Sequence, residues 1–249
     1  MKLLLCLAPL WLTLLGGQLP AAVTFLSDGD FLNPNWSEVD FGSPLVAGSN
    51  AQAASGGNPG PFRQITVSFP DFAGGTTLTK NLASFGALLV FDPSVIGAIT
   101  QIEFSYQLAT QSSVFGNGFG GAYRPMLRQN GRIYFLNNVN DVTSSSAWTT
   151  FTSISTNPSD WGEVNAGVTL PDFSATGSPI EFGYRTALTA VCPSTVTTCS
   201  SGSVLSGIDN YQVTVTSADR PSNDVPEPST MGLFALGGTL LVIRRNWRW

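Results

Sequence analysis

Apolar and polar residues alternate with a period of two in several short segments of this chain. The clearest is 102–108, where every second residue is apolar and the residues between them are polar. Such alternation is typical of a β-strand with one buried and one solvated face. Nine segments have an alternating or β-rich composition, and nothing between them carries a helical period. They are 23–26, 36–41, 62–69, 99–108, 122–129, 132–136, 148–154, 180–188 and 211–216.

Turn signals separate these segments. Asn130-Gly131 lies between two of them, and Asn-Gly supplies the positive φ angles of a type I′ hairpin turn. Two turn-rich stretches, 42–61 and 111–121, are too long for simple hairpin loops, and loops of that length often carry binding sites. The pattern predicts an all-β fold, an antiparallel β-sandwich, for one domain spanning residues 23–222.

The chain begins with an apolar run of a different kind. Lys2 precedes nearly continuous apolar residues over 3–15, and small residues follow up to residue 22. This is the layout of a secretory signal peptide, with a cleavage site near Ala21 or Ala22. We therefore expect residues 1–22 to form a signal helix outside the domain. The alternative is a buried N-terminal helix.

The C-terminal segment, 223–249, combines a short motif, an apolar run and a basic tail. The motif is 225–230, residues 231–243 carry no charge, and 244–249 contain three arginines. The apolar helix would rise about 20 Å against a hydrocarbon core of about 30 Å, so it is a poor permanent anchor. The basic tail would stay in the cytoplasm and place the domain outside. This organisation is typical of a sorting tag that is recognised and cut; a simple tail anchor is the alternative.

Composition and charge narrow the possible chemistry. The 249 residues are 43% apolar and 11% charged and include no histidine, so a disordered chain and any histidine-dependent catalytic dyad or metal site are excluded. Once the signal peptide and the tail after the motif are removed, seven basic residues face sixteen acidic ones. Such a surface repels nucleic acid and anionic membranes and attracts divalent cations. We expect no nucleic-acid partner, and membrane contact only through the C-terminal helix before processing.

Outside the predicted signal peptide, the chain has two cysteines, Cys192 and Cys199. In an oxidising compartment we expect them to form a disulfide. The closed eight-residue loop would stabilise the fold by about 2.5 kcal/mol in the chain-entropy model. The spacing disfavours a redox-active pair.

Three aspartates are candidate ligands of a structural Ca²⁺: Asp28, Asp30 and Asp209. A strict period of two places Asp209 on the same strand face as Tyr211, at the edge of an apolar layer, where a carboxylate needs a partner. Calcium takes six to eight oxygen ligands and could be held by these carboxylates with backbone carbonyls. Alternatively, the aspartates shape turns and accept hydrogen bonds from loop amides.

Aromatic residues are the candidates for stacking on sugar rings. Trp36 and Tyr134 are our ligand-binding candidates, and the alternation over 132–136 predicts that Tyr134 faces outwards beside Arg132. Core packing is the alternative for each aromatic. Other candidates are Trp148, Trp161 and Tyr123.

A glycosidase needs only two carboxyl groups, so an enzyme is the contrasting hypothesis. The available acids are Glu38, Glu103, Glu163 and Glu181. They form no clustered pattern along a strand, and we therefore expect a protein without catalytic residues.

The C-terminal residues resemble the PEP-CTERM sorting signal of Gram-negative bacteria. The motif, an apolar helix and a basic pair follow one another in the order of that signal, over about 25 residues. The resemblance implies general secretion, processing by an exosortase, and a place at the surface or outside a cell that makes an exopolysaccharide. The residues that carry it are Val225, Pro226, Glu227, Pro228, Ser229, Arg244 and Arg245.

More weakly, the segments around Asp28 and Asp209 resemble the first and last strands of jelly-roll carbohydrate-binding modules. Such modules open with a Gly-Asp-Phe-Glu type run ahead of a Trp, and often join the two places through calcium. The resemblance implies a jelly-roll-like sandwich that binds polysaccharide. We therefore expect an exported, non-catalytic surface or matrix protein; the alternatives are a secreted glycan-active hydrolase with a carboxylate pair and a purely structural matrix protein.

Overall fold

The computed structural model of the chain describes residues 21–114, 119–137, 146–165 and 167–218, and over 111–114 it describes the backbone alone. The predicted sorting segment 223–249 and nearly all of the predicted signal peptide lie outside these residues. No helix in the described part is long and apolar enough to cross a membrane.

Within the described residues the chain forms fourteen strands, one single-turn α-helix, α1 (Pro93–Ile96), and two 3₁₀ helices, Asn33–Asn35 and Pro158–Asp160. The strands are β1 (Ala22–Ser27), β2 (Trp36–Asp40), β3 (Ala47–Gly57), β4 (Gly60–Phe69), β5 (Phe72–Ala73), β6 (Thr77–Phe91), β7 (Ile99–Val114), β8 (Phe119–Gln129), β9 (Arg132–Leu136), β10 (Thr149–Ser155), β11 (Trp161–Glu163), β12 (Ile180–Val191), β13 (Thr198–Cys199) and β14 (Gly202–Ser217).

The strands build two six-stranded antiparallel sheets and one small pair. The first sheet has the order β10-β7-β14-β4-β3, and β1 pairs with the C-terminal half of β14. The second sheet has the order β11-β9-β8-β12-β6-β2, and β5 pairs with β13 separately. The predicted all-β antiparallel sandwich is therefore confirmed.

Aromatic side chains fill the space between the sheets. The alternation over 102–108 is confirmed, since the apolar residues are buried there and the polar ones only partly so. Tyr211 on β14 packs against Trp36 and Tyr184, with ring centroids 6.3 and 5.7 Å apart, and its hydroxyl donates to the carbonyl of Gly183 on β12. Complete burial raises the pKa of Tyr211 well above its usual value.

Two long strands were not predicted. The stretch 42–61, expected to be a binding loop, contains β3 and the start of β4. β3 is a small-residue edge strand, and small polar side chains give no apolar alternation even where the backbone pairs. β6 was missed because Lys80 lies buried at a position where the pattern requires an apolar residue, held by Asp40 of β2.

The hairpin between β8 and β9 is confirmed. Asn130 and Gly131 have φ angles of 52° and 74°, as a type I′ turn requires. The other predicted loop, 111–121, is largely strand where it is described, because β7 continues to Val114 and β8 begins at Phe119.

The predicted disulfide between Cys192 and Cys199 is present. Both cysteines are buried in the main core, whereas 193–198 is exposed. Cys199 lies opposite Phe72 in the pair formed by β13 and β5. The disulfide therefore anchors an exposed loop to the core.

Candidate functional site

Asp28 organises the loop between β1 and β2. Its Oδ1 accepts hydrogen bonds from the backbone amides of Asp30 and Phe31, and its Oδ2 accepts from the indole Nε1 of Trp36 at 2.8 Å. These contacts let Phe31 adopt a left-handed conformation, with φ of 52°, and enter the core. The role of Asp28 is therefore that of a buried carboxylate that shapes the loop between β1 and β2.

Asp209 lies on the outer face of the first sheet, so its predicted placement with Tyr211 is wrong. The pairing of β14 with β7 slips between Asp209 and Gln212, and Asn210 at the slip has φ of 50°. Such a bulge inserts residues and reverses the face of those that follow. Asp209 consequently stands opposite Gln107 and is 2% exposed.

Asp28, Asp30 and Asp209 do not come together as a metal-binding group, and the described residues contain no cluster of three or more acidic or cysteine side chains that could hold a metal ion. Asp209 accepts hydrogen bonds from the backbone amides of Asn58 and Asn210. Asp28 is likewise satisfied by N–H donors. These N–H donors stabilise both carboxylates without a cation.

The structure also corrects both aromatic candidates for ligand binding. Tyr134 is 3% exposed and points into the main core, because the outward residues of β9 are Ile133 and Phe135. Trp36 is buried and packs against Phe31 and Tyr184. Neither ring can stack on a sugar. Trp161 and Tyr123 are also buried.

Trp148 is the candidate aromatic that remains partly exposed. Its Nε1 donates to the carbonyl of Gly56 at 3.2 Å, and its ring packs edge-on against Phe62 with centroids 5.4 Å apart. The ring also covers Gly207, where an added Cβ would lie 2.9 Å from the indole and 2.7 Å from Phe62. A glycine is therefore required beneath this tryptophan.

Polar side chains adjoin Trp148 on the outer face of the first sheet. Gln107 Oε1 accepts from the side-chain amides of Asn58 and Asn210 at 3.1 and 3.0 Å, and Gln107 Nε2 donates to the Thr150 hydroxyl at 3.1 Å. Asn58, Thr150 and Asn210 are exposed. We call Trp148 together with Asn58, Gln107, Thr150 and Asn210 the Trp148 surface.

Asp209 supports this surface from below. Its carboxylate fixes the β3–β4 turn through the Asn58 amide and the bulge through the Asn210 amide. The side-chain amide of Asn210 then donates to the Asn58 carbonyl at 2.7 Å. The buried acid thus sets the positions of the two exposed amides.

The acids considered for catalysis are mostly paired with arginine. Glu38 contacts Arg63 at 3.1 Å, and Glu181 contacts Arg128. Glu163 accepts hydrogen bonds from the Thr169 hydroxyl and from Arg132, and these contacts hold the pKa of its carboxyl below the usual value. A general acid in a glycosidase needs a raised pKa, so Glu163 is poorly suited to that role.

A family profile described as the PEP-CTERM protein-sorting motif matches residues 224–246 and confirms the resemblance of the C-terminal segment. The motif indicates an exported protein that is processed by an exosortase. No curated protein matches the chain in sequence.

Solved structures with a similar fold include carbohydrate-binding modules. A family 11 module from Clostridium thermocellum, in complex with a β-1,3-1,4-mixed-linked tetrasaccharide, is 12% identical, with 80% of this chain and 97% of that chain covered and a TM-score of 0.39. A xylan-binding domain from Paenibacillus barcinonensis is 9% identical, with 80% and 97% covered and a TM-score of 0.37. A putative sugar-binding protein from Bacteroides thetaiotaomicron is 7% identical, with 72% and 86% covered and a TM-score of 0.35.

Proposed function

We propose that this protein is delivered to the surface or surroundings of a Gram-negative cell and binds polysaccharide there without cleaving it. The sorting motif supports delivery. The observation that carries the binding function is the Trp148 surface, where one accessible indole adjoins three amides and a hydroxyl.

This combination suits a sugar ring. A pyranose presents an apolar face of C–H groups, which packs on an aromatic ring, and a rim of hydroxyls that both donate and accept hydrogen bonds. Amide side chains also offer both functions, so Asn58, Gln107 and Asn210 can each meet a hydroxyl in either role. The amides already bond to one another. Their positions are thus fixed before a ligand arrives, which lowers the entropy lost on binding.

The test is a glycan array with the purified protein, followed by titration of the best neutral polysaccharide. We expect Trp148→Ala to weaken binding about tenfold or more, since an aromatic contact of this size contributes on the order of 1.5 kcal/mol. Phe25→Ala is the matched control, because Phe25 is an exposed aromatic on a strand of the same sheet.

Equal affinity for the wild type and Trp148→Ala would overturn the proposed site. Release of new reducing ends from a bound polysaccharide would instead favour the glycan-active hydrolase. An array without any binding would favour the purely structural matrix protein.

A further inference from the structure

Glu103 is a carboxylate without a partner on the outer face of the first sheet. It lies on β7 between two residues that are buried in the core, so its side chain points outwards, and it is half-buried. Within the described part of the chain it forms no hydrogen bond or ion pair. The other acids considered for catalysis all contact arginine; they are Glu38, Glu163 and Glu181. The fold therefore gives the Glu103 carboxylate no role of its own.

No basic side chain shares this outer face in the part of the chain that the structure describes. Arg63 and Lys80 are buried inside the sandwich. The other basic residues of that part all belong to strands of the second sheet; they are Arg124, Arg128, Arg132 and Arg185. A half-buried carboxylate without a counter-ion is costly, because water solvates it only in part. Glu103 is thus suited to an external cation.

Glu103 lies at one end of a straight row that begins at the Trp148 surface. Three outward pairs follow one another along β10 and β7: Thr150 with Gln107, Thr152 with Ser105, and Ile154 with Glu103. The first pair belongs to the Trp148 surface, and Trp148 precedes it by two residues. The pairs span about 14 Å along the strands, because a strand rises about 3.4 Å per residue. We call these three pairs together with Trp148 the β7–β10 track.

The chemistry of the track changes along its length. The Trp148 end has an indole, an amide and a hydroxyl, and the middle pair has two hydroxyls, which both donate and accept hydrogen bonds. The far end places the carboxylate of Glu103 beside Ile154, which is 53% exposed, and Thr214 lies on the other side. A chain of sugar rings along the track would thus meet uncharged groups at one end and a negative charge at the other.

We propose that the β7–β10 track binds a polysaccharide whose sugar units carry free amino groups. The protonated amine of one unit forms a charge-assisted hydrogen bond with Glu103, and the C–H face of the same ring packs on Ile154. Other units contact Trp148 and the hydroxyls between the two ends. This inference rests on the proposed function, because it names the class of polysaccharide that the Trp148 surface takes part in binding.

The charge of the whole chain supports a cationic ligand. The sequence has sixteen acidic and eleven basic residues, so the protein attracts a polycation over a longer range than the contact itself. An acidic polysaccharide would bring like charge to Glu103, where no cation of the described face compensates it. A neutral polysaccharide would leave the carboxylate unpaired. An amino polysaccharide alone uses every group of the track.

The test compares oligomers of β-1,4-linked glucosamine with fully N-acetylated oligomers of the same length. Each is titrated into the purified protein at about pH 6, where amines are protonated. We expect the glucosamine oligomer to bind more tightly, and high salt to remove the difference. Glu103→Gln should weaken binding of the glucosamine oligomer about tenfold, because an ion pair becomes a neutral contact, and should leave the N-acetylated oligomer unaffected. Thermal melting of each variant verifies the fold.

Asp30→Asn is the matched control. It removes the same charge from an exposed acid, whose backbone carbonyl accepts a hydrogen bond from Gln52 of β3, at the opposite edge of the sheet order from β10. This variant should bind the glucosamine oligomer as the wild type does. Trp148→Ala should weaken binding of both oligomers, since a ring contact does not depend on the charge of the amine.

Equal affinity of the wild type and Glu103→Gln for the glucosamine oligomer would overturn the inference, whereas a loss with Trp148→Ala would leave the proposed function standing. The inference also fails if the glucosamine oligomer does not bind. A similar loss with Asp30→Asn would overturn it, because only overall charge would then matter. So would equal affinity for polylysine, which has the positive charges without the sugar rings.

Discussion

Asp209 shows how one buried carboxylate fixes the geometry of a surface. It is 2% exposed, and its two oxygens accept the backbone amides of Asn58 and Asn210. The sequence indicated that Asp209 needs a partner, and this is correct. It could not indicate which face the residue occupies, because the left-handed Asn210 breaks the period of two on which that inference depended.

Removing this carboxylate should destabilise the domain. We expect Asp209→Ala to lower the free energy of unfolding by about 1–3 kcal/mol, since two partly buried N–H groups lose their acceptor. Urea denaturation measures the change. Asp30→Ala is the control, because Asp30 is exposed and such substitutions usually change stability by less than about 0.5 kcal/mol.

Thermal melting of the purified wild-type protein tests the calcium hypothesis. Because N–H donors occupy the carboxylates of Asp28 and Asp209, we expect a chelator to leave the melting temperature of the wild type unchanged. A chelator that lowers the melting temperature by several degrees, together with an Asp209→Asn variant that no longer responds, would restore a calcium site.

Strands with clear alternation were predictable, and those that depend on pairing partners were not. The segments around β7, β9 and β12 alternate or are rich in β-formers, because one face meets the core. β3 contains mainly Gly, Ala and Ser and is defined by its ladder with β4. Such pairing is a long-range property that local composition does not encode.

The disulfide stabilises one element, the exposed loop 193–198. We expect the double variant Cys192→Ser and Cys199→Ser to lose about 2.5 kcal/mol of unfolding free energy, because the unfolded chain gains the freedom of the opened loop. Reducing agent should lower the urea midpoint of the wild type similarly and leave the variant unaffected. A variant with an unchanged midpoint would contradict this account.

Two carboxylates link neighbouring strands and should make the fold sensitive to acid. Partial burial opposes ionisation of Asp40, but hydrogen bonds from Lys80 and the Gly42 amide and the Lys80 charge outweigh it and lower its pKa. The Thr169 hydroxyl and Arg132 lower the pKa of Glu163. Groups with a lowered folded pKa bind more protons when unfolded, so stability falls as pH drops through these values.

We therefore expect the melting temperature to decline from about pH 5 downwards, because ordinary carboxyl pKa values lie near 4. Asp40→Asn and Glu163→Gln should each be less stable than the wild type at pH 7 and flatten the decline. A melting temperature that is independent of pH between 5 and 3 would contradict the role of both pairs.

At the scale of the whole molecule, the two outer faces of the sandwich carry different chemistry. The first sheet presents an indole and uncharged amides, and the second presents arginines. Neither face could be read from sequence, because Asn58, Gln107, Trp148 and Asn210 are far apart along the chain and meet only through the strand order β10-β7-β14-β4. The C-terminal sorting motif, in contrast, was identifiable from the sequence because its residues are contiguous.

The sorting motif should control the fate of the entire protein. Pro226 and Pro228 flank Glu227, and proline favours the extended backbone that a protease groove accepts, so we expect this motif to be the recognition element; the apolar residues that follow would hold it at the membrane surface. We expect replacement of all three residues by Ala to leave an unprocessed protein in the membrane fraction, detected by its larger mass on an immunoblot. Pro221→Ala, just before the motif, is the matched control and should be processed normally. Normal processing of the triple variant would show that recognition depends on other residues of the segment.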